Sequence, residues 1–569
     1  MGGIRFEDCY LYDGANATMK VFSSIDNCWA FLLLYEMRQQ GISTLCLAPG
    51  SRSTPLVMAA ESLNFDIHVH WDERSLAFFA LGLVKASLKP VALLCTSGTA
   101  VANFLPAVIE AYQSTLPLVL LTADRPFELQ AIAANQSIHQ SNIFKDFTVE
   151  QLVLPEPQIS ISAPSLLRRF SHAFHRMKKT CLPLHINMPL REPFFADLKS
   201  DFSDYLLPIR DYLQQGSPFC VYDEPVDVFD EHELENVPRH YEQGLIVCGQ
   251  LHNEKHADAV LRLAEQWQWP ILADPFSLLF SKQHPLILNH YDSAFSSFKN
   301  QAELKPFLCL WVGGCLLSKH LISFLSMPAC YLLRAQEGPN LSDAAGPSRR
   351  MLLGPLFVTL SLLMKKKALA KAPFVFPATF SEETLTSKDR DQRSDRAFMK
   401  GVLAHFSADY DFFISNSLPP RLLLSLGPTF SRAPFFYANR GASGIDGIVS
   451  TALGLAKERR RPMVLLIGDL ALMHDMGALA LGENLTTSFV VICLNNSGGG
   501  IFSSLPVAKE SQGFERFFQV KHDYRFNSLA QQFGYQYYCC ESVEDFDSQM
   551  KLTFDSKGLS FIECLSVIE

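Results

Sequence analysis

Met463-Val-Leu-Leu-Ile-Gly-Asp469 and Phe489-Val-Val-Ile-Cys-Leu-Asn-Asn496 are apolar runs that each stop at a polar pair. Short apolar runs bounded by turn residues read as strands buried on both faces of a parallel sheet. Ligands of such sheets sit at the carboxyl ends of the strands, which is where Asp469 and Asn496 fall. A carboxylate and an amide oxygen at neighbouring strand ends suit Mg²⁺, a hard cation that completes its octahedron with water and substrate phosphates. The carbonyl of Gly498 is a third candidate ligand, and Gly498, Gly499 and Gly500 would let a diphosphate approach the backbone closely. Two ordinary strands ending in turn residues give the same pattern, so residues elsewhere must decide.

Outward from this segment, the 569 residues suggest three or four domains. With 48% hydrophobic and 19% charged residues the chain is globular. A net charge of −9 argues against a general nucleic-acid binder but leaves room for local basic pockets. The 14 cysteines are scattered with no C-x-x-C pair, and Cys539-Cys540 fits neither bridge nor zinc spacing, so a reduced, cytoplasmic chain is the simplest expectation. The N-terminus has no signal-peptide core, and no stretch approaches the roughly 18 apolar residues of a membrane span.

Strand and helix patterns alternate along the chain. Residues 1–22 read as a variable extension. A first unit spans 23–193, with a helix through Trp29–Tyr35, strands at Thr44–Ala48, Ile67–Trp71, Val91–Cys95 and Leu118–Leu121, and a helix opening at Asp72. Residues 194–237, rich in Asp, Pro and aromatics, read as a connector. A second unit spans 238–364, with strands at Leu245–Cys248, Ile271–Ala273 and Leu308–Val312. A second, polar connector covers 365–397. The third unit, 398–569, holds Phe412–Ser415, Met463–Ile467, Phe489–Leu494 and Ser560–Ser566 as strands. Strands alternating with helices predict an α/β protein of three doubly wound parallel sheets. His68 and His70 share a strand face without further ligands in metal spacing and read as structural.

The Gly-Asp to Asn-Asn pattern, with 27 positions between Asp469 and Asn496, resembles the thiamine-diphosphate motif. Further stretches narrow the resemblance. They are Ala48-Pro-Gly-Ser-Arg-Ser-Thr-Pro55, Thr96-Ser-Gly-Thr-Ala-Val-Ala-Asn103, Leu121-Thr-Ala-Asp-Arg-Pro126, Ala134-Asn-Gln136, Asn416-Ser417 with Arg421, Asn439-Arg-Gly-Ala-Ser-Gly-Ile-Asp-Gly447 and Asn495-Asn-Ser-Gly-Gly-Gly-Ile-Phe502. Together with Gly468-Asp-Leu470 they closely resemble the SEPHCHC (2-succinyl-5-enolpyruvyl-6-hydroxy-3-cyclohexene-1-carboxylate) synthase family of menaquinone biosynthesis, from about Ser23 onward. Leu470, where many thiamine-diphosphate enzymes have Gly, is usual in that family.

The resemblance implies pyrimidine-binding (PYR), central and diphosphate-binding (PP) domains in that order. It implies thiamine diphosphate and Mg²⁺, with Mn²⁺ as a substitute, as cofactors. It implies decarboxylation of 2-oxoglutarate and conjugate addition of the resulting succinyl-semialdehyde carbanion equivalent to isochorismate. Glu73 takes the place of the glutamate that hydrogen-bonds the aminopyrimidine, although a carboxylate in the first turn of a helix is also favoured by the macrodipole alone; Asp72 reads as the N-cap. Gly468, Asp469, Leu470, Asn496 and Ile445 match cofactor contacts, Ile445 as the residue that props the cofactor bent, with Asp469, Asn496 and Gly498 on the metal. Arg52, Arg125, Arg421 and Arg440 fall on positions associated with substrate carboxylates, and Ser51, Gln136 and Ser417 on polar contacts. Arg is apt for dianions because its planar fork grips carboxylates bidentately. Lys319 matches a substrate position, but His320 stands where the family often has a second cation, which puts that contact in doubt. Ile501 and Phe502 match apolar contacts near the reacting centre, a role core packing rivals for Phe502.

The same resemblance implies a homodimer as the minimal active unit, with a homotetramer common; the charge and the lack of long apolar runs already point to neither a nucleic-acid partner nor an integral membrane segment. Two other classes stay open: another thiamine-diphosphate-dependent 2-oxo acid decarboxylase or carboligase, and a non-catalytic subunit that kept the fold. A nicotinamide oxidoreductase is disfavoured, since no G-x-G-x-x-G opens a helix after the first strand.

Overall fold

Three open sheets organise the computed structural model, which describes residues 21–194, 200–223, 234, 240–297, 304–337, 349–376, 393–405, 409–427, 435–555 and 558–567. The extension up to residue 20 and much of the second connector lie outside the described residues. The chain divides into two compact units, one of residues 1–224 with 453–458, the other of residues 225–452 with 459–569.

In the first unit the strands lie in the order Asp66–Val69, Thr44–Leu47, Val91–Cys95, Leu118–Asp124, Leu184–Pro189, Glu150–Val153, all parallel. Numbered along the chain this order is 2-1-3-4-6-5. The chain steps one way from the first strand and then back past it, leaving a switch point between Thr44–Leu47 and Val91–Cys95, where crevices form in doubly wound sheets. The second unit carries two sheets. One is ordered Ile287–Leu288, Ile271–Ala273, Gln243–Cys248, Phe307–Val312, Cys330–Gln336, Arg350–Leu353, with Ala372–Pro373 also pairing onto Gln243–Cys248. Its order, 3-2-1-4-5-6, is the other common doubly wound arrangement. The last sheet runs Phe436–Tyr437, Asp411–Ile414, Met463–Gly468, Phe489–Asn495, Leu559–Leu565, Gln536–Cys540, again all parallel and again 2-1-3-4-6-5. The three doubly wound parallel sheets expected from the alternating pattern are therefore present.

Strands at Glu150–Val153 and Gln536–Cys540 escape a reading of periodicity because both lie at sheet edges, where half-exposed polar residues interrupt the apolar run. The first connector is more ordered than its composition implies. Ser200–Asp201 pairs antiparallel with Val21–Phe22, and helices at Ser203–Leu206 and Arg210–Gln215 bury Leu206 and Tyr212, with Ile209 between them. Its aromatics are spaced to wrap a neighbouring surface, so no helical or strand period shows.

That wrapping is anchored by a buried carboxylate. Glu36, on the helix Ile25–Gln39, accepts from the hydroxyls of Ser171 (2.7 Å) and Tyr212 (2.6 Å), the amide of Phe219 (3.1 Å) and the side chain of Gln40 (2.8 Å). A fully buried acid persists only when its oxygens are satisfied. Glu36→Ala leaves a buried hydroxyl pair and an amide without their acceptor. We expect a loss of about 2–4 kcal/mol, read as a lower urea midpoint by the fluorescence of Trp29, which lies on the same helix.

Candidate active site

In the second unit, the strand Met463–Gly468 ends at Asp469, the first residue of the helix Asp469–His474. The adjacent strand Phe489–Asn495 ends at Asn496, and Gly468 is in register with Leu494. Asp469 Oδ1 accepts from the amide of Leu470 (2.6 Å), and Oδ2 accepts from the amide of Gly498 (2.9 Å). Burial pushes the Asp469 carboxyl above the usual range, against the pull of these two amides. Asn496 donates through Nδ2 to Asp395 (2.7 Å), which turns its Oδ1 away; that buried oxygen has no partner. Gly498 has φ +143°, a conformation few other residues adopt, and a Cβ there would run into the carbonyl of Gln519. Among the described residues no three His, Cys, Asp or Glu side chains gather for a metal. A cation here would rest on one carboxylate plus amide and carbonyl oxygens, the hard donor set Mg²⁺ takes. The unpartnered Asn496 oxygen and the desolvated Asp469 carboxylate fit that demand.

Two residues at this site carry no sequence signal. Asp395, at the start of the helix Asp395–His405, sits in the segment expected as a connector, yet it orients Asn496 and accepts from Ser566. His522 places Nε2 3.3 Å from Asp469 Oδ2, while its backbone amide donates to Ser497 (3.2 Å). Beneath them, the buried Glu563 accepts from Asn495 (2.6 Å), Tyr537 (2.7 Å) and the amide of Phe526 (3.0 Å), fixing the strand end.

The anion-binding candidates of this sheet gather at the end of its first strand, Asp411–Ile414. Asn416 donates to the carbonyls of Asn439 (2.7 Å) and Gly444 (2.6 Å), and its Oδ1 accepts from Arg440 (2.8 Å). This one amide ties the Asn439–Gly447 loop, with half-buried Ile445, to the strand end. Arg421 donates to the carbonyl of Ser417, whose φ of +75° turns the chain into the helix Pro419–Leu426. Desolvation and then the charge of Arg440 hold Arg421 below the usual arginine value. Among the described residues neither arginine forms an ion pair, although the buried Asp274 feels the charge of Arg440. Ile501 and Phe502 lie half-buried on the turn Gly500–Ser504, with Phe502 6.2 Å from the ring of Phe518. Lys319 is exposed at the start of the helix Lys319–Leu325, and His320 is paired with Asp292 at 3.2 Å.

In the first unit, Asp72 caps the helix Glu73–Ser87 by accepting from the amides of Arg74 and Ser75. Glu73 is half-buried, close enough to Cys95 at the end of the central strand to raise its thiol pKa after burial. Ser51 and Arg52 lie on the turn Ser51–Ser53. Gly50 packs on Thr96, and Gly98 on the backbone of Gln136, so neither position has room for a side chain without displacement. Gln136 is itself exposed, with φ +51°. Arg52 is buried, bonded to the carbonyl of Leu190 (2.9 Å) and to Glu192 (2.6 Å); Arg125 Nη1 lies 3.9 Å from the same Glu192 oxygen. The structure thus brings Arg52 and Arg125 together in one unit, and Arg421 and Arg440 together in the other.

Three family models match the chain: the N-terminal TPP binding domain of thiamine pyrophosphate enzymes over residues 29–144, their middle domain over 203–339, and their C-terminal TPP binding domain over 429–564. This is the class of thiamine-dependent enzyme that the strand-end sites define. Among curated proteins, the 2-succinyl-5-enolpyruvyl-6-hydroxy-3-cyclohexene-1-carboxylate synthase of Shewanella frigidimarina is 34% identical over 95% of this chain and 94% of its own length. The synthase of the same name from Shewanella halifaxensis is 35% identical over 94% of both. The chain belongs to the SEPHCHC synthase family.

Two measurements check the site. Asp395→Ala frees the Asn496 amide to rotate; outer-shell partners of metal ligands are worth about 10–100-fold in affinity, so thiamine diphosphate with Mg²⁺ should bind that much more weakly by titration calorimetry. In the first unit, burial raises Asp124, which accepts from Asn187 (2.7 Å), from 3.8 to about 6. A raised carboxyl binds its proton in the folded state first, so its penalty is full above about pH 6 and relieved as pH falls toward 3.8. The wild-type unfolding midpoint should carry this limb, and Asp124→Asn should flatten it.

Proposed function

We propose that the chain is a thiamine-diphosphate- and Mg²⁺-dependent transferase that decarboxylates 2-oxoglutarate and joins the remaining fragment to isochorismate. The observation that carries this reading is the adjacent pair Arg421 and Arg440, without carboxylate partners among the described residues, at a strand end of the sheet that holds Asp469 and Asn496. A monoacid such as pyruvate has no use for clustered guanidinium groups; substrates with two carboxylates do.

The cofactor, when bound, supplies a carbon nucleophile that the side chains of this protein lack. In this reading Asp469, the Oδ1 of Asn496 and the carbonyl of Gly498 hold Mg²⁺, and the Gly498–Gly500 backbone receives the diphosphate. Glu73 would hold the aminopyrimidine and its proton, and Ile445 would pack against the cofactor. Arg52, Arg125, Arg421, Arg440 and Lys319 orient the carboxylates, with Ser51, Gln136 and Ser417 adding polar contacts. Ile501 and Phe502 exclude water from the reacting carbon. The domain limits at 23–193, 238–364 and 398–569 belong to the same reading, as does an assembly of at least two copies in which the glutamate of one serves the diphosphate site of another. No described helix is long and apolar enough to cross a membrane, and every described cysteine is a free thiol, which suits a cytoplasmic enzyme.

Carbon dioxide should be released from 2-oxoglutarate only with thiamine diphosphate and Mg²⁺, and the coupled product should appear only with isochorismate. Faster steady turnover of pyruvate than of 2-oxoglutarate would sink this assignment in favour of a different decarboxylase or carboligase. Glu73→Gln should cut turnover by about a hundredfold or more, the range of a positioned acid–base group, while Mg²⁺-dependent cofactor binding persists.

A further inference from the structure

Arg52 and Arg125 converge on one carboxylate that has little need of them. The Glu192 side chain is 62% exposed, whereas those of Arg52 and Arg125 are 3% and 14% exposed. Glu192 meets both through a single oxygen, Oε1, at 2.6 Å from Arg52 and 3.9 Å from Arg125. The Nε of each arginine is buried without a partner. Arg52 is otherwise held by the carbonyl of Leu190 and lies 5.1 Å over the ring of Phe194. The neighbouring Arg191 is instead paired with Glu128 and Glu156. The segment carrying Glu192 is fixed at its root, where the amide of Leu190 donates to the carbonyl of Asp124 (3.1 Å).

A buried guanidinium is costly unless a negative charge accompanies it. Glu192 supplies that charge from a long side chain whose other end is in water. Two cations with unused N–H donors, sharing one oxygen of one exposed carboxylate, form a seat for a better-placed carboxylate. We propose that Glu192 is a built-in stand-in for a substrate carboxylate: it fills the Arg52–Arg125 seat between turnovers and swings into solvent when a substrate carboxylate takes its place. The exchange swaps one anion for another, so the seat holds a carboxylate both before and after the substrate binds. The cost appears as weaker apparent affinity, because the ligand binds only the fraction of molecules whose seat is open. This inference rests on the reading of Arg52 and Arg125 as substrate-carboxylate groups.

The test is steady-state kinetics of the full-length enzyme loaded with thiamine diphosphate and Mg²⁺, varying 2-oxoglutarate and isochorismate in turn. Glu192→Gln keeps the shape and removes the competing charge. It should lower KM for one of the two substrates by about three- to tenfold, the gain from opening a mostly filled seat. Glu192→Asp, which keeps the charge on a shorter arm, should fall between that variant and wild type, and Arg125→Gln should raise KM for the same substrate. If Glu192→Gln raises KM or leaves both KM values unchanged while Arg125→Gln raises one, the stand-in is refuted and Glu192 merely steadies the arginines. If Arg125→Gln and Arg52→Gln move neither KM, the underlying assignment of the arginines falls instead.

Discussion

The amide of Gly498 donates to the carboxylate of Asp469 across 2.9 Å, and this bond joins the ends of two parallel strands into one site. It exists only because Met463–Gly468 and Phe489–Asn495 pair in parallel with Gly468 opposite Leu494, which brings both carboxyl ends out at the same level. A slip of one residue would turn the side chains of either strand to the opposite face of the sheet. It also needs the positive φ of Gly498, and the close approach of Gln519, whose carbonyl accepts from the amide of Gly499 (2.6 Å). Around it the polar neighbours are arranged to orient rather than to neutralise. Asp395 holds the nitrogen of Asn496 and so aims its oxygen, and Glu563 holds Asn495 below.

The same constraint appears twice. The first and last sheets share the strand order 2-1-3-4-6-5, and their candidate residues emerge from equivalent strand ends. After the first strand come Arg52 in one sheet and Ser417 with Arg421 in the other; after the fourth come Arg125 and Asn496. One scaffold geometry thus yields an arginine seat in one unit and a diphosphate motif in the other. Identity of fold does not fix chemistry; the residues at the strand ends do. A chain of net charge −9 nonetheless places four arginines at these strand ends.

Much of this was legible in sequence because buried parallel strands are continuous apolar runs and their ends carry turn residues. Leu118–Asp124 and Phe489–Asn495 announce themselves this way, and with them Arg125 and Asn496. What sequence hid follows from the same physics. Edge strands such as Glu150–Val153 have no such run. Asp395 reaches Asn496 across 101 residues of chain, and His522 reaches Asp469 from a segment without any period of its own, so only the folded chain shows that they meet. Glu192 follows a strand as an ordinary surface acid, and nothing in its neighbours tells that a buried and a partly buried arginine lean on it.

His320 shows how a substitution is absorbed. In sequence it stands where a second cation beside Lys319 is usual. In the structure its Nδ1 lies 3.2 Å from Asp292, and Asp292 also accepts from the hydroxyl of Ser318, the residue that caps the helix Lys319–Leu325. The His320 ring is therefore engaged by a carboxylate already committed to the helix terminus. It adds little field beyond that pair, since an exposed ion pair is screened by solvent. The remaining candidate cations are Lys319 and the four strand-end arginines. Arg52, Arg421 and Arg440 are each held by a backbone carbonyl or an asparagine instead, so their placement owes nothing to the exchange at this helix.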